Sequence, residues 1–144
     1  MSEIVKPAIE IVPESDLKGS NEWLRTELHA LNVRFMGEYK SEPFSVMAKV
    51  GDVPVGGIAG SVHLGWLSID ITYIEEKYRG QGLGRQLMEA IEEEGRRRGA
   101  TRAYVETASF QAEGFYAKFG YAVYGRFSDF APGVDRIFMR KDQL

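Results

Sequence analysis

The amino-acid sequence predicts a single mixed α/β domain that spans residues 1–144. The chain has 144 residues, which suffice for one hydrophobic core. Segments that alternate apolar and polar residues, which predict strands, lie on both sides of segments with helical periodicity. The predicted order is strand, helix, three strands, helix, strand, helix and two strands. This order is typical of one sheet flanked by few helices.

The first two predicted elements are a short strand and an amphipathic helix. Residues 8–12 alternate in polarity and are followed by Pro13, which ends the predicted strand. Ser20 or Asn21 is expected to cap the helix, because such side chains accept hydrogen bonds from the first turn. Apolar residues then recur at helical spacing up to about Met36.

Three strands follow and are expected to form an antiparallel meander. Gly51 and Asp52 form a turn signal between the first two, and Gly65 marks a tight hairpin before the third. The predicted strands cover residues 44–50, 55–64 and 67–73.

The clearest predicted helix covers residues 83–98, which carry an apolar stripe and end at Gly99. Glu92, Glu93 and Glu94 each precede an arginine by four residues, a spacing that stabilises helices. The arginines at 96–98 are therefore interpreted as a solvated helix face and not as a nucleic-acid site. The net charge of −3 also argues against a nucleic-acid partner.

The remaining elements are two strands, a short helix and a connecting loop. Gly120 is expected to stop the helix, and Pro132 with Gly133 to form the loop that joins the last two strands. The predicted strand, helix and two strands cover residues 102–107, 112–119, 121–127 and 134–140.

Composition excludes several classes of protein and site. The absence of cysteine excludes disulfides and thiolate metal ligands, and no metal site is expected. The N-terminus lacks the pattern of a signal peptide, and no apolar run approaches the roughly 20 residues needed to cross a bilayer. We therefore expect a cytoplasmic protein without a membrane partner.

The stretch YRGQGLGRQLM, residues 78–88, places three glycines immediately before the clearest helix. The first N–H groups of a helix lack intrahelical partners and attract anions, and glycines let a phosphate approach them. Arg85 and Gln86 follow Gly84, where a P-loop requires lysine and Ser or Thr. The spacing of the glycines and the lack of an acid about 20 residues later also exclude a dinucleotide fingerprint.

Two motifs resemble those of the GNAT superfamily of N-acetyltransferases. Arg79-x-x-Gly82-x-Gly84 resembles its acetyl-coenzyme A signature, R/Q-x-x-G-x-G/A, and lies between strand and helix as in that family. Residues 109–121, SFQAEGFYAKFGY, resemble its pattern N-x-x-A-x-x-x-Y-x-K-x-G-F/Y, although Ser109 stands where Asn is frequent. The resemblance covers the chain from Ile9 almost to its end.

The resemblance implies one central, mostly antiparallel sheet that is splayed at the cofactor site and flanked by about four helices. It also implies acetyl-CoA as cosubstrate and direct transfer of its acetyl group to a primary amine. The pantetheine arm would pair with the backbone of one strand, and the pyrophosphate would bind the glycine loop. The residues implied in cofactor binding are Tyr73, Ile74, Arg79, Gly80, Gln81, Gly82, Leu83, Gly84, Arg85, Ser109, Ala112, Tyr116 and Lys118.

Acetyl transfer to an amine requires a proton donor for the departing sulfur and a base for the amine. An alkylammonium with a pKa near 10 is neutral in only about one molecule in a thousand at pH 7. The family resemblance makes Tyr116 the candidate acid. Asp70 and Glu106 are the candidate bases, and each also has a structural explanation as a surface-paired carboxylate.

The acceptor remains open between a small-molecule amine and a protein amino group, and a homodimer is possible. Residues 23–39 and the loop at 129–134 are expected to meet the acceptor, with Asp129 and Asp135 among the acids that attract it. The alternative function is a non-catalytic acyl-CoA-binding sensor or scaffold. Such a protein needs no phenol beside the sulfur, so Tyr116 favours the enzyme.

Overall fold

The computed structural model of the chain describes residues 3–110 and 113–144. These residues form two compact units, which divide after Tyr39. None of the described helices is both long enough and apolar enough to cross a membrane.

The N-terminal unit contains a 3₁₀ turn, Glu14–Asp16, and helix α1, Leu17–Met36. The strand predicted for residues 8–12 is wrong, because these residues have no regular secondary structure. Their alternation covers only five residues, and Pro7 and Pro13 flank them without a backbone N–H to donate to a strand ladder. The predicted helix start is also wrong, since the Ser20 hydroxyl donates to the Leu17 carbonyl at 3.0 Å inside the first turn.

The C-terminal unit contains a six-stranded sheet with the order β1-β2-β3-β4-β6-β5. Only the β3–β4 pair is parallel, so the sheet is mostly antiparallel, as the resemblance implied. The strands are β1 (Glu42–Val50), β2 (Val53–His63), β3 (Trp66–Ile74), β4 (Arg102–Ala108), β5 (Ala122–Ala131) and β6 (Val134–Lys141). The loop of the last hairpin is shorter than predicted, because β5 continues to Ala131, beyond its predicted end at residue 127.

Two α-helices accompany the sheet, α2 (Leu83–Arg97) and α3 (Glu113–Ala117). The described residues thus contain three α-helices, fewer than the four or so expected. Glu14–Asp16 and Glu76–Tyr78 form only short 3₁₀ turns. Residue 112, the predicted start of α3, lies outside the described residues. The helix ends before Phe119, whose N–H bonds the Tyr116 carbonyl in a tighter turn.

Helix α2 packs on the face formed by β1, β2 and β3. Gly95 allows Leu67 to approach, since a Cβ atom at Gly95 would lie 3.1 Å from the leucine side chain. Glu92 is buried on this face and binds Lys141 of β6 at 2.8 Å, instead of Arg96 as the helical spacing predicted. The buried face of α2 therefore determines the partner of Glu92.

The sheet opens between β3 and β4. These strands pair only between Trp66–Ile69 and Arg102–Val105, and the rest of β3 keeps β2 alone as its described strand partner. The splayed sheet implied by the resemblance is confirmed. Both β3 and β4 continue beyond the last paired residues, so a gap lies within the sheet.

Candidate active site

A β-bulge marks the point where β3 and β4 separate. Gly60 pairs with Ile69 and Ala59 with Ile71, which leaves Asp70 as the extra residue on β3. A bulge reverses the alternation of side chains along the strand. In a regular strand, residues an odd number of positions apart face opposite sides of the sheet. Because of the bulge, Leu67 and Ile74 both approach α2, although they are an odd number of residues apart.

Backbone pairing with β2 shows which groups of β3 face the gap. The Glu75 N–H donates to the Val55 carbonyl at 2.9 Å, and hydrogen-bonded pairs alternate in an antiparallel ladder. Tyr73 therefore bonds toward β2, whereas Thr72 and Ile74 direct their N–H and carbonyl groups away from it. The resemblance implied that the pantetheine arm pairs with the backbone near residues 73 and 74. Of these two residues, only Ile74 directs its backbone groups toward the gap, and Thr72 does so as well.

A cavity of about 740 Å³ lies at this gap. Its walls come from the open part of β3, from the end of β4 and from α3. The lining residues are Asp70, Ile71, Thr72, Tyr73, Ile74, Arg79, Thr107, Phe110, Phe115 and Tyr116.

Tyr116 is buried between the gap and the core. Its hydroxyl donates to the Thr72 hydroxyl at 3.1 Å, and its ring contacts Phe115 and Tyr121 edge-on. Burial raises the pKa of Tyr116, and the hydrogen bond with Thr72 partly opposes that rise. The phenol is therefore protonated at neutral pH. Because each hydroxyl can donate or accept, reversing this bond would turn the Tyr116 proton toward the cavity.

The N-terminus of α2 adjoins this cavity. Its first intrahelical hydrogen bond runs from the Gln86 N–H to the Gly82 carbonyl, so the N–H groups of Leu83, Gly84 and Arg85 point out of the helix. The preceding Gly82 has no side chain that could cap them. Three donors at the positive end of the helix dipole form a group that suits a phosphate.

The glycines of the loop have two different structural roles. Gly80 and Gly82 have φ angles of +75° and +83°, which side-chain-bearing residues rarely adopt. Gly84 has an ordinary helical backbone, but a Cβ atom there would lie 2.9 Å from the Phe115 ring. Gly84 therefore allows α3 to approach α2, and it brings the helix start close to the cavity wall.

Arg79 and Gln81 use their side chains to hold the loop. The Arg79 Nε donates to the Ile74 carbonyl at 2.8 Å, and its guanidinium lies 5.9 Å from the centre of the Tyr73 ring. The Gln81 amide donates to the Lys77 carbonyl at 2.9 Å. Arg79 also lines the cavity, so it both fixes the end of β3 and places positive charge at the site.

The other predicted cofactor residues lie around this loop or beyond it. Arg85 is on the α2 surface, 4.0 Å from Glu89 and 5.4 Å from the centre of the Phe119 ring. Lys118 is exposed just after α3. Ser109 accepts a hydrogen bond from the Asp135 N–H at 2.9 Å, which ties it to β6. Ala112 lies outside the described residues.

Of the two candidate bases, Asp70 lines the cavity and Glu106 does not. The Asp70 carboxylate is exposed at the bulge and accepts a hydrogen bond from Ser68 at 2.6 Å. Glu106 is ion-paired with Arg136 of β6. The geometry therefore gives Asp70, but not Glu106, a place on the wall of the cavity that Tyr116 also lines.

Asp135, one of the acids expected to attract the acceptor, is part of an ion-pair network. The Asp129 N–H and the Arg126 guanidinium hold the pKa of the Asp135 carboxyl below its usual value. Arg126 also binds Glu113 at 2.9 Å, which links β5 to α3. This network fixes the segment that supports Tyr116.

Sequence reasoning missed Thr72, Thr107, Phe110 and Phe115 as site residues. Simple alternation along residues 67–73 predicts that Thr72 lies on the same side of the strand as Asp70, but the bulge interrupts this alternation. The helical spacing of Phe115 with Ala112 and Phe119 predicts only a place on the apolar stripe of the helix. The contact of Phe115 with Gly84 could have been found only from the packing of α3 on α2.

Comparison with known protein families shows to which family the chain belongs. The model of the acetyltransferase (GNAT) family matches residues 9–121. The chain belongs to the GNAT family. Members of this family bind acetyl-CoA, and the uncapped helix start and open strand edge described above fit such a ligand.

Individual relatives agree with this membership. The chain is 29% identical over 119 residues to an acetyltransferase of Agrobacterium fabrum, covering 82% of the chain and 87% of the relative. It is 35% identical over 88 residues to the blasticidin-S acetyltransferase of Streptomyces morookaense, covering 60% and 65%. A Bacillus cereus acetyltransferase crystal structure matches with a TM-score of 0.85 at 27% identity, covering 96% and 98%. These similarities support an acyltransferase activity for this GNAT protein.

Proposed function

We propose that the protein is an acetyl-CoA-dependent N-acetyltransferase that acetylates a primary amine by direct attack. The proposal is carried by one arrangement: a buried, protonated phenol beside an open strand edge, with the bare start of α2 adjoining the same cavity. A thioester in this gap has a hydrogen-bond donor on one side and an acid, Asp70, on the cavity wall. The cosubstrate supplies the activated acetyl group.

The backbone would bind and orient the cosubstrate. The N–H groups of Leu83, Gly84 and Arg85 would hold the pyrophosphate. The N–H and carbonyl groups of Thr72 and the N–H group of Ile74, whose carbonyl accepts from Arg79, would pair with the amides of the pantetheine arm, in the manner of an added strand. An N–H group of this edge would also donate to the thioester oxygen as negative charge develops on it.

The reaction forms one C–N bond and breaks one C–S bond. Asp70 attracts the acceptor ammonium, takes one proton from it and passes that proton to water. The neutral amine then attacks the carbonyl carbon of the thioester. As the C–S bond breaks, the Tyr116 hydroxyl donates a hydrogen bond to the sulfur, and the proton that the nitrogen then loses converts the departing thiolate to the thiol. Because the pKa of Tyr116 lies above that of a thiol, its main contribution is a hydrogen bond to the developing thiolate.

The acceptor is an amine of a small molecule or of a protein. A relative is named for blasticidin S, a small molecule, which supports the first class. The test is release of free thiol from acetyl-CoA over a panel of alkylamines, diamines, amino sugars and peptide N-termini. We expect at least one amine to accelerate thiol release, with the acetylated amine as product.

Two other outcomes would overturn the proposal in distinguishable ways. Calorimetric binding of coenzyme A without thiol release for any amine would assign the protein to the acyl-CoA-binding sensors. No binding of coenzyme A at all would refute both the reaction and the assignment of the α2 N-terminus as a pyrophosphate site.

A further inference from the structure

An apolar trough of about 240 Å³ lies on the part of the sheet formed by β1, β2 and β3. Thr72 and Ile74 direct their side chains toward α3 and α2, so Ile71 and Tyr73, which alternate with them, face the other side of the sheet. The trough is lined by Met47, Pro54, Val55, Gly56, Gly57, Ile58, Ala59, Ile71, Tyr73 and Glu75.

One glycine of β2 shapes the trough. Gly57 pairs with Tyr73 and therefore shares its face of the sheet. A Cβ atom at Gly57 would lie 2.6 Å from the Met47 sulfur, so a side chain there would displace Met47. The Met47 side chain therefore lies directly on the main chain of β2 at this point.

The trough and the catalytic cavity share two wall residues. Ile71 and Tyr73 line both spaces, and their side chains are 66% and 59% exposed. Asp70, the candidate base on the wall of the catalytic cavity, immediately precedes Ile71 in the chain. A molecule whose amine lies at Asp70 can therefore extend along Ile71 and Tyr73 into the trough.

We infer that this trough binds an apolar group attached to the acceptor amine, so that the acceptor is a primary amine with a neutral, apolar tail. This inference rests on the proposed N-acetyltransferase function. Glu75, the acidic residue that lines the trough, disfavours a tail that ends in a carboxylate. Amino sugars expose hydroxyl groups all around the ring, and these would lose their hydration against Met47 and Ile71 without gaining partners there.

The chain-length dependence of the reaction tests this inference. The probes are ethylamine, butylamine and hexylamine, with 6-aminohexan-1-ol as the matched control of equal reach and polar end. Burial of each methylene group should raise kcat/KM about fourfold until the trough is filled. We expect hexylamine to exceed ethylamine by at least about tenfold, and 6-aminohexan-1-ol to fall clearly below hexylamine.

A matched pair of variants on β1 tests whether the dependence of kcat/KM on amine chain length arises in the trough. Met47→Gln places a polar group over Gly57, whereas Val50→Gln makes a similar change on the same strand outside the trough. Both side chains are about half exposed, at 49% and 57%, so neither change should prevent folding. Met47→Gln should lower the hexylamine-to-ethylamine ratio about fivefold or more, and Val50→Gln should leave it unchanged.

The results separate this inference from the proposed function. Thiol release that depends on amines but is equal for ethylamine, hexylamine and the amino alcohol overturns the apolar-tail inference and leaves the N-acetyltransferase intact. The same conclusion follows if Met47→Gln and Val50→Gln change the ratio equally. Absence of thiol release with every amine refutes both.

Discussion

The two halves of β3 differ in strand pairing, in burial and in structural role. Over Trp66–Ile69, the paired half, the strand has β2 on one side and β4 on the other. Over residues 70–74, the open half, β2 is its one strand partner among the described residues, and the strand lines a cavity. Ile69 is 2% exposed and Ile71 is 66% exposed, although only Asp70 separates them. A single extra residue thus turns a core strand into a binding edge.

The largest expected effect contrasts the same substitution in the two halves. Ile69→Ala should lower the free energy of unfolding by about 3 kcal/mol, because it removes a fully buried side chain from the core. Ile71→Ala should change it by less than about 0.5 kcal/mol, as is usual at an exposed site. Urea denaturation of both variants measures the difference. Equal losses of stability would contradict the division of β3 into two halves.

The next effect concerns the phenol that faces the open half. Tyr116→Phe should reduce kcat about 100-fold, since it removes the donor to the leaving sulfur while keeping the ring. Tyr121→Phe is the matched control, because its buried hydroxyl has no hydrogen-bond partner among the described residues. Steady-state thiol release should fall less than twofold in this control. A similar kcat for the two variants would remove Tyr116 from the catalytic role.

A smaller effect is expected at the loop that follows the open half. Gly82→Ala forces a side-chain-bearing residue into a φ of +83°, at a cost of about 1–2 kcal/mol. We expect the loop to shift and the KM for acetyl-CoA to rise at least about fivefold. Gly99→Ala, at the other end of α2 with a φ of +94°, should cost similar stability and leave this KM unchanged. A raised KM in both variants would indicate a general loss of structure.

The smallest effect is a loss of stability at high pH. Burial raises the pKa of Tyr116 and of Tyr121 above the value of about 10 expected in the unfolded chain. Their contribution to stability is therefore fully present below pH 10, and it is lost as pH rises further and the unfolded tyrosines ionise first.

Tyr121→Phe should flatten this loss, which urea midpoints between pH 8 and pH 11 would show. At pH 8 the same change should raise stability by about 1 kcal/mol, because a buried hydroxyl without a partner is removed. Lower stability of Tyr121→Phe at pH 8, or an unchanged slope above pH 10, would contradict this account of the tyrosine.

The sequence predicted those features that depend on local patterns. The helix start at Leu83 follows from the glycines before it, and the position of Tyr116 follows from its motif. The bulge at Asp70 depends on the register of β2 against β3, which no local pattern contains. Simple alternation therefore placed Thr72 on the wrong side of the strand and missed its contact with Tyr116.

Ion pairs show the same limit. Helical spacing predicted that Glu92 would pair within α2, yet burial brings it to Lys141, 49 residues away in sequence. Likewise, no local pattern predicted the contacts of Asp135 with Arg126 and Asp129, which organise the last hairpin. Long-range packing decided both outcomes.

The position of the gap inside the sheet has a consequence for what can enter it. An unpaired strand at the rim of a sheet invites other polypeptides to add to it, which leads to aggregation. Here β4 continues along the far side, so a visiting polypeptide would bring side chains that meet this second wall. We therefore expect the opening to admit thin, unbranched ligands with amide groups and to exclude protein strands.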